Sequence, residues 1–189
     1  MTESEIIRGC KRGDRASQRE LYVQTSERIF RLLVKMTRNQ DTAIDLAQET
    51  YLRAFDRISQ FNGDSSIATW LYRIAVNEAL QFQRRKGMLP LPPDHDSSAA
   101  SAASEGDRTA MRMDVNSALQ EMEATDRAIL ILRYQEGLDY RQIAEILDCP
   151  AGTVASRLNR ARDRLRHALS GSYGTEEEMT RTEHLRDVG

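Results

Sequence analysis

The stretch DYRQIAEILDCPAGTVASRLNRARDRLRH, Asp139–His167, decides how this 189-residue chain is read. Its first part, Tyr140 to Leu147, sets Ile143, Ala144 and Leu147 on one face of a short helix, and Asp148-Cys149-Pro150 then interrupts the pattern. Pro150 carries a backbone angle suited to a first helical turn. The helix that follows places Val154, Leu158, Ala161 and Leu165 on an inner stripe. At about 100° per residue, Gly152, Ser156, Asn159, Arg160 and Asp163 fall on the opposite, outward face. Two helices joined by a three-residue turn, the second with an open polar face, form a helix-turn-helix.

The outward face has the chemistry to meet a DNA groove. Arg160 can pair with guanine edges, Asn159 with adenine and Ser156 with either, while Gly152 lets a phosphate approach closely. Arg157, Arg162, Arg164 and Arg166 add flanking charge, and only Asp163 opposes the five arginines between Ala151 and Leu169. A solvated basic helix is the bland alternative. Charge alone leaves the two readings level, and the short helix and turn ahead of it favour duplex DNA.

Outward from this motif, composition sets the frame. Arg, Ala, Leu and Glu are the most frequent residues and lose little rotamer freedom in helices, so an all-α chain without strands is expected, divided into two small helical domains. The net charge of -2 is nearly neutral, so nucleic-acid binding has to come from local segregation of charge. Cys10 and Cys149 are far apart and have no neighbours at metal-ligand spacing. Neither a zinc site nor a disulfide is indicated, no metal or cofactor is expected, and a reducing compartment fits. No run of eighteen apolar residues occurs, so no signal peptide or membrane span is expected, and the location expected is cytoplasmic. His95, His167 and His184 stand isolated, which argues against acid-base or metallo-enzyme chemistry.

Helical patterning fills residues 1–86, with breaks near Gly13-Asp14, Arg38 to Asp41 and Phe61 to Asp64, giving about four helices. Residues 87–110 hold Leu89-Pro90-Leu91-Pro92-Pro93 and a Ser/Ala-rich run, and read as a flexible linker. Residues 111–170 hold the helix-turn-helix domain, and 171–189 form an acidic tail to which no role is assigned.

Two surfaces of the first domain stand out. Trp70, Arg73, Asn77, Gln81 and Arg84 recur at three- or four-residue intervals and lead into Arg85 and Lys86, while Leu71, Ile74, Ala75 and Phe82 are left for the core. A stripe of ring, amide and guanidinium suits single-stranded nucleic acid, although Trp70 alone reads equally well as a half-buried anchor. The loop Phe61-Asn62-Gly63-Asp64-Ser65 through Thr69 either holds an extruded base or is a connector whose Ser66 or Thr69 caps the next helix. In Asp41 to Ile58, the residues Ile44, Ala47, Tyr51, Phe55 and Ile58 are expected to form the core stripe. Beside them Asp45, Gln48, Glu49, Leu52 and Asp56 place a leucine among acidic and amide groups, either a protein-docking face or ordinary exposure.

Taken in order, Asp45-Leu46-Ala47-Gln48-Glu49-Thr50-Tyr51-Leu52-Arg53-Ala54-Phe55, Phe61-Asn62-Gly63-Asp64 and Thr69 to Asn77 resemble the second conserved region of extracytoplasmic-function sigma factors of the sigma-70 family. Gly137-Leu138-Asp139-Tyr140 through Ala144, and Gly152-Thr153-Val154 through Arg162, resemble their fourth region. The resemblance implies an alternative sigma factor that binds core RNA polymerase, recognises promoter -35 and -10 elements and helps open the duplex, and that is not itself an enzyme. Asp45, Gln48, Glu49, Leu52 and Asp56 would dock on the clamp helices of the largest polymerase subunit. Phe61, Asn62, Gly63, Asp64, Ser65, Trp70, Arg73, Asn77, Gln81, Arg84, Arg85 and Lys86 would meet melted promoter DNA. Gly152, Thr153, Ala155, Ser156, Arg157, Asn159, Arg160 and Arg164 would meet duplex promoter DNA. An anti-sigma factor is a further partner the resemblance implies. Ala155 and Asn159 depart from the residues frequent in such proteins, so the promoter sequence does not carry over. The rival reading is an autonomous helix-turn-helix regulator that needs no polymerase, and a second rival is an adaptor for another signalling protein.

Overall fold

The structure, a computed structural model, describes residues 1–88, 115, 118–119 and 122–173. The expected linker and acidic tail lie almost wholly outside them. Four helices come first: α1 (Glu3–Lys11), α2 (Arg15–Thr37), α3 (Gln40–Arg57) and, after a 3₁₀ turn at Ile58–Gln60, α4 (Ile67–Met88). Three follow: α5 (Ala124–Tyr134), α6 (Tyr140–Leu147) and α7 (Ala151–Tyr173). No strand occurs among the described residues, and α7 runs past Gly171 to Tyr173.

Each break has a local cause. Thr2 and Glu5 close a capping box at the start of α1. Gly13, at φ +76°, turns the chain, and the Asp14 carboxylate then accepts from the amides of Ala16 and Ser17 to start α2. Arg38 ends α2 in the left-handed conformation, and Asn39 caps α3 by accepting from Thr42. The expected breaks at Gly13-Asp14 and Arg38 to Asp41 therefore rest on cap chemistry. At the next one, Ser66 Oγ accepts from the Thr69 amide at 3.1 Å, so of the two candidates Ser66 caps α4, while Thr69 is buried.

The first bundle buries Ile6, Leu21, Leu32, Leu33, Met36, Leu46 and Leu71; the second buries Ile129, Leu132, Ile143, Ile146, Val154 and Leu158. The two pack against each other, α4 against α6 and α2 against α5. A buried arginine sits at the joint. Arg127 on α5 donates from Nη1 to the Met36 carbonyl at 2.8 Å, from Nε to Leu119 at 2.8 Å and from Nη2 to Met122 at 3.1 Å. Its charge meets the last turn of α2, where carbonyl dipoles favour a cation, and burial together with Arg38 lowers its pKa. Around it, Tyr72 donates to Glu136, Glu136 lies 3.6 Å from Arg28, and Lys35 donates to Gln135.

Candidate functional site

The predicted core stripe of α3 requires a correction. Ala43, Leu46, Thr50, Tyr51, Ala54 and Ile58 are the buried residues, whereas Ile44 is 44% exposed and Ala47 and Phe55 are half-buried. The stripe is rotated by about one residue, and the apolar side chains left outside do not lie scattered. With Tyr22, Ser26 and Phe30 of α2 they line a groove of about 560 Å³ that also takes in Gln48 and Leu52. Leu52, 67% exposed, is the rim of an apolar groove rather than a lone leucine. Tyr51 forms its floor, edge-on to Tyr22 at 4.8 Å, and its hydroxyl lies 2.7 Å from Thr25 Oγ1. Burial pushes that hydroxyl's pKa up to about 12.

Asp45 and Asp56 are exposed, next in sequence to the lining residues Ile44 and Phe55, while the exposed Gln48 and Glu27 of α2 belong to the lining itself. Glu49 is not independent of the fold, since it accepts from Arg53 at 2.6 Å and Arg53 reaches the buried Glu78 at 3.1 Å. Sequence reasoning missed Tyr22, Ser26 and Phe30, which stand at i, i+4 and i+8 on α2. That second stripe was the available signal.

On α4, Asn77, Gln81, Arg84 and Arg85 are exposed, and Trp70, Arg73 and Lys86 are half-exposed. Trp70 packs tilted on Phe61, ring centres 5.5 Å apart. Phe61 itself is 5% exposed, so it belongs to the core and not, as expected, to the open face of the loop. Asn62, Gly63 and Asp64 are exposed beyond it, Ser65 half so, and Gly63 takes φ +85°. Arg73 is 4.0 Å from Asp148 in the turn between α6 and α7, a solvent-screened contact between α4 and the helix-turn-helix.

The two helices and the turn occur where expected, with one correction: Ile143, Ala144 and Ile146 are the buried residues of α6, and Leu147, expected inside, is only half-buried. Asp139 and Gln142 close a capping box on α6, Asp148 ends it at φ +51°, and α7 follows. Val154, Leu158 and Ala161 are buried, while Gly152, Ser156, Asn159 and Arg160 are exposed and Thr153 and Ala155 half-exposed. Two of the expected duplex contacts are engaged elsewhere. Arg157 lies 3.5 Å from the buried Asp126 and 3.7 Å from Glu123, and Arg164 donates to the other Asp126 oxygen at 3.1 Å. A buried carboxylate needs such partners, so Asp126 ties two turns of α7 to α5. Among the described residues no cluster of His, Cys, Asp and Glu could hold a metal ion, and no helix is long and apolar enough to cross a membrane.

Comparison with known proteins places this arrangement. The family described as sigma-70 region 2 matches residues 21–88, and sigma-70 region 4 matches residues 112–165. RNA polymerase sigma-H factor of Pseudomonas aeruginosa is 34% identical over 182 residues, covering 88% of this chain and 93% of that protein. ECF RNA polymerase sigma-E factor of Haemophilus influenzae is 31% identical over 185 residues, covering 89% and 96%. Among solved structures, CnrH in complex with the cytosolic domain of CnrY shares the fold at TM-score 0.69 and 18% identity, over 90% of this chain and 98% of that one. The sigma factor RpoE of Bartonella quintana, in complex with the anti-sigma factor NepR, shares it at TM-score 0.62 and 24% identity, over 82% and 97%. With regions 2 and 4 both present in order and a curated relative alike over nearly the whole length, the chain belongs to the extracytoplasmic-function sigma factors of the sigma-70 family, the alternative sigma factors that direct RNA polymerase to promoters.

Proposed function

We propose that the groove between α2 and α3, lined by Gln48 and Leu52 and neighboured on α3 by the exposed Asp45 and Asp56, docks the clamp helices of the largest polymerase subunit. The exposed part of α4 and the loop at Asn62 to Ser65 then take melted -10 DNA, and the outward face of α7 takes the duplex -35 element. The supporting observation is the groove itself: an apolar channel edged by carboxylates, on the same bundle as a basic amide-rich helix, suits a protein helix on one side and nucleic acid on the other.

The packed arrangement bears on how the chain works. Elements about 25 base pairs apart stand roughly 85 Å apart at 3.4 Å per pair. A compact chain of this length has a radius of gyration of about 16 Å, so the two bundles have to part before one molecule touches both elements. The stretch 89–110 that follows α4 could span at most roughly 70 Å at about 3.3 Å per residue. We therefore read the joint around Arg127 and Glu136 as the contact that opens when the chain binds polymerase. In this reading the chain carries no catalytic centre of its own, works in the cytoplasm where its polymerase is, and is held by an anti-sigma factor, as the Bartonella relative is held by NepR.

The test is promoter opening, read by the fluorescence of a 2-aminopurine placed in the -10 element. The complex with core polymerase is expected to open the duplex while the free chain leaves it closed. Tight, sequence-specific duplex binding by the free chain, with core polymerase adding no opening, favours the autonomous regulator.

A further inference from the structure

The loop Asn62–Ser65 has little of its own to hold it. None of its four residues makes a hydrogen bond among the described residues, and Gly63 lies in the left-handed region. Its shape is therefore set at its two ends, and both ends are fixed by one helix. Lys11 Nζ, at the last turn of α1, donates to the Phe61 carbonyl at 2.7 Å. Glu3 Oε1, at the first turn of α1, accepts from the Ile67 amide at 3.1 Å. Ile67 opens α4, so the Glu3 carboxylate also meets the positive end of that helix.

The helix that carries these two side chains is itself firmly seated. Ile6 and Cys10 are buried against the bundle, and the capping box of Thr2 and Glu5 fixes its first turn. At Gly9 it crosses α2 so closely that a Cβ would lie 1.9 Å from Ser17 Oγ. A rigid rod thus spans the loop, with a charge-assisted hydrogen bond at each end.

We propose that α1 is the positioning helix of this loop, with Lys11 and Glu3 holding its ends in the geometry that captures an extruded base. The inference rests on the reading of the loop as the melted-strand site. Neither residue touches DNA in this account. They act by removing the ordering cost that a free loop would meet on binding, and neither lines the groove between α2 and α3.

The experiment uses the full chain assembled with core polymerase and single-stranded -10 oligonucleotides carrying each of the four bases at the captured position. The readouts are discrimination between bases, affinity for core polymerase and the thermal unfolding midpoint of the free chain. In the double variant Lys11→Met, Glu3→Ala, discrimination is expected to fall roughly tenfold, with core affinity unchanged and the unfolding midpoint lowered by only a few degrees, as the loss of two part-buried bonds requires. Lys11→Arg alone keeps a donor at the Phe61 carbonyl and is expected to retain discrimination. Full discrimination in the double variant, with Asn62→Ala or Asp64→Ala abolishing it, leaves the loop as reader and overturns the role of α1. Loss of core affinity in step with discrimination overturns it too, since α1 then acts on the whole bundle. If neither set of variants alters discrimination, the reading of the loop fails and the proposal with it.

Discussion

Leu52 shows how much one side chain depends on its neighbours. In sequence it is an apolar residue among acids; in the structure it edges a groove formed by Ile44, Tyr51, Phe55 and the α2 residues Tyr22 and Phe30. Because it is 67% exposed, Leu52→Arg is expected to leave the unfolding midpoint within about 1 °C while weakening core binding about 10- to 100-fold, as for an interface anchor. Unchanged affinity in a competition assay against the parent chain would remove the docking role. Beneath it, Tyr51 gives the fold a pH dependence whose sign is fixed. Its pKa is raised to about 12 in the folded chain by burial, against about 10 when unfolded. The neutral hydroxyl is favoured by folding, so its contribution is complete below pH 10 and is lost as pH rises toward 12, with a slope of up to about 1.4 kcal/mol per pH unit. Tyr72, raised by burial and by Glu136, adds to the loss in the same direction. Urea titrations from pH 8 to 11 are expected to show falling stability above pH 10 and a shallower fall in Tyr51→Phe.

Among the elements, the helices and most of their ends were legible because they depend on local chemistry. Asp14, Asn39 and Asp139 cap the helices they precede, and Gly13 and Asp148 supply the left-handed turns. The stripe Val154, Leu158 and Ala161 was equally clear, since on α7 only one face is apolar. On α3 both faces carry apolar residues, and a single sequence does not say which of two stripes meets the core; the choice depends on α2 and α4, and periodicity alone fits Ile44 inward as well as Ala43. The pairing of Arg157 and Arg164 with Asp126 was hidden for a related reason, because it joins residues 31 and 38 positions apart. It bears on the proposed contact of α7 with duplex DNA. Arg160 is exposed and makes a long 3.5 Å hydrogen bond to the Ser156 carbonyl, weak enough to yield to a base, so Arg160→Ala is expected to cost about 1–3 kcal/mol on the preferred -35 sequence and less on others. Arg157→Ala is expected instead to lower the unfolding midpoint, because Asp126 loses a partner. Equal losses for Arg160→Ala on all sequences would make it a phosphate contact. The crossing of α1 on α2 is tested at Gly9, where Gly9→Ala forces Ser17 aside and is expected to destabilise the chain by about 1–3 kcal/mol in thermal melts.

For the whole molecule, the notable fact is that the two bundles lie against each other, joined by Arg127 on the Met36 carbonyl and by the contacts of Tyr72 and Arg28 with Glu136. Nothing in the sequence announced this joint, since a buried arginine and a half-buried glutamate read as surface charges until their partners are in place. A dye on each bundle is expected to give high energy transfer in the free chain and low transfer once core polymerase binds. Glu136→Gln weakens the joint and is expected to lower the transfer of the free chain part of the way. Unchanged transfer on polymerase binding would contradict opening. The central claim, that both bundles serve one polymerase on one promoter, is tested most directly by run-off transcription with purified core polymerase on a library of duplex templates varied in both elements. Promoter-specific transcripts that need the first bundle, the second bundle and core polymerase together are predicted. Absence of any specific transcript, while the free chain selects its own duplex from the same library, would contradict the account.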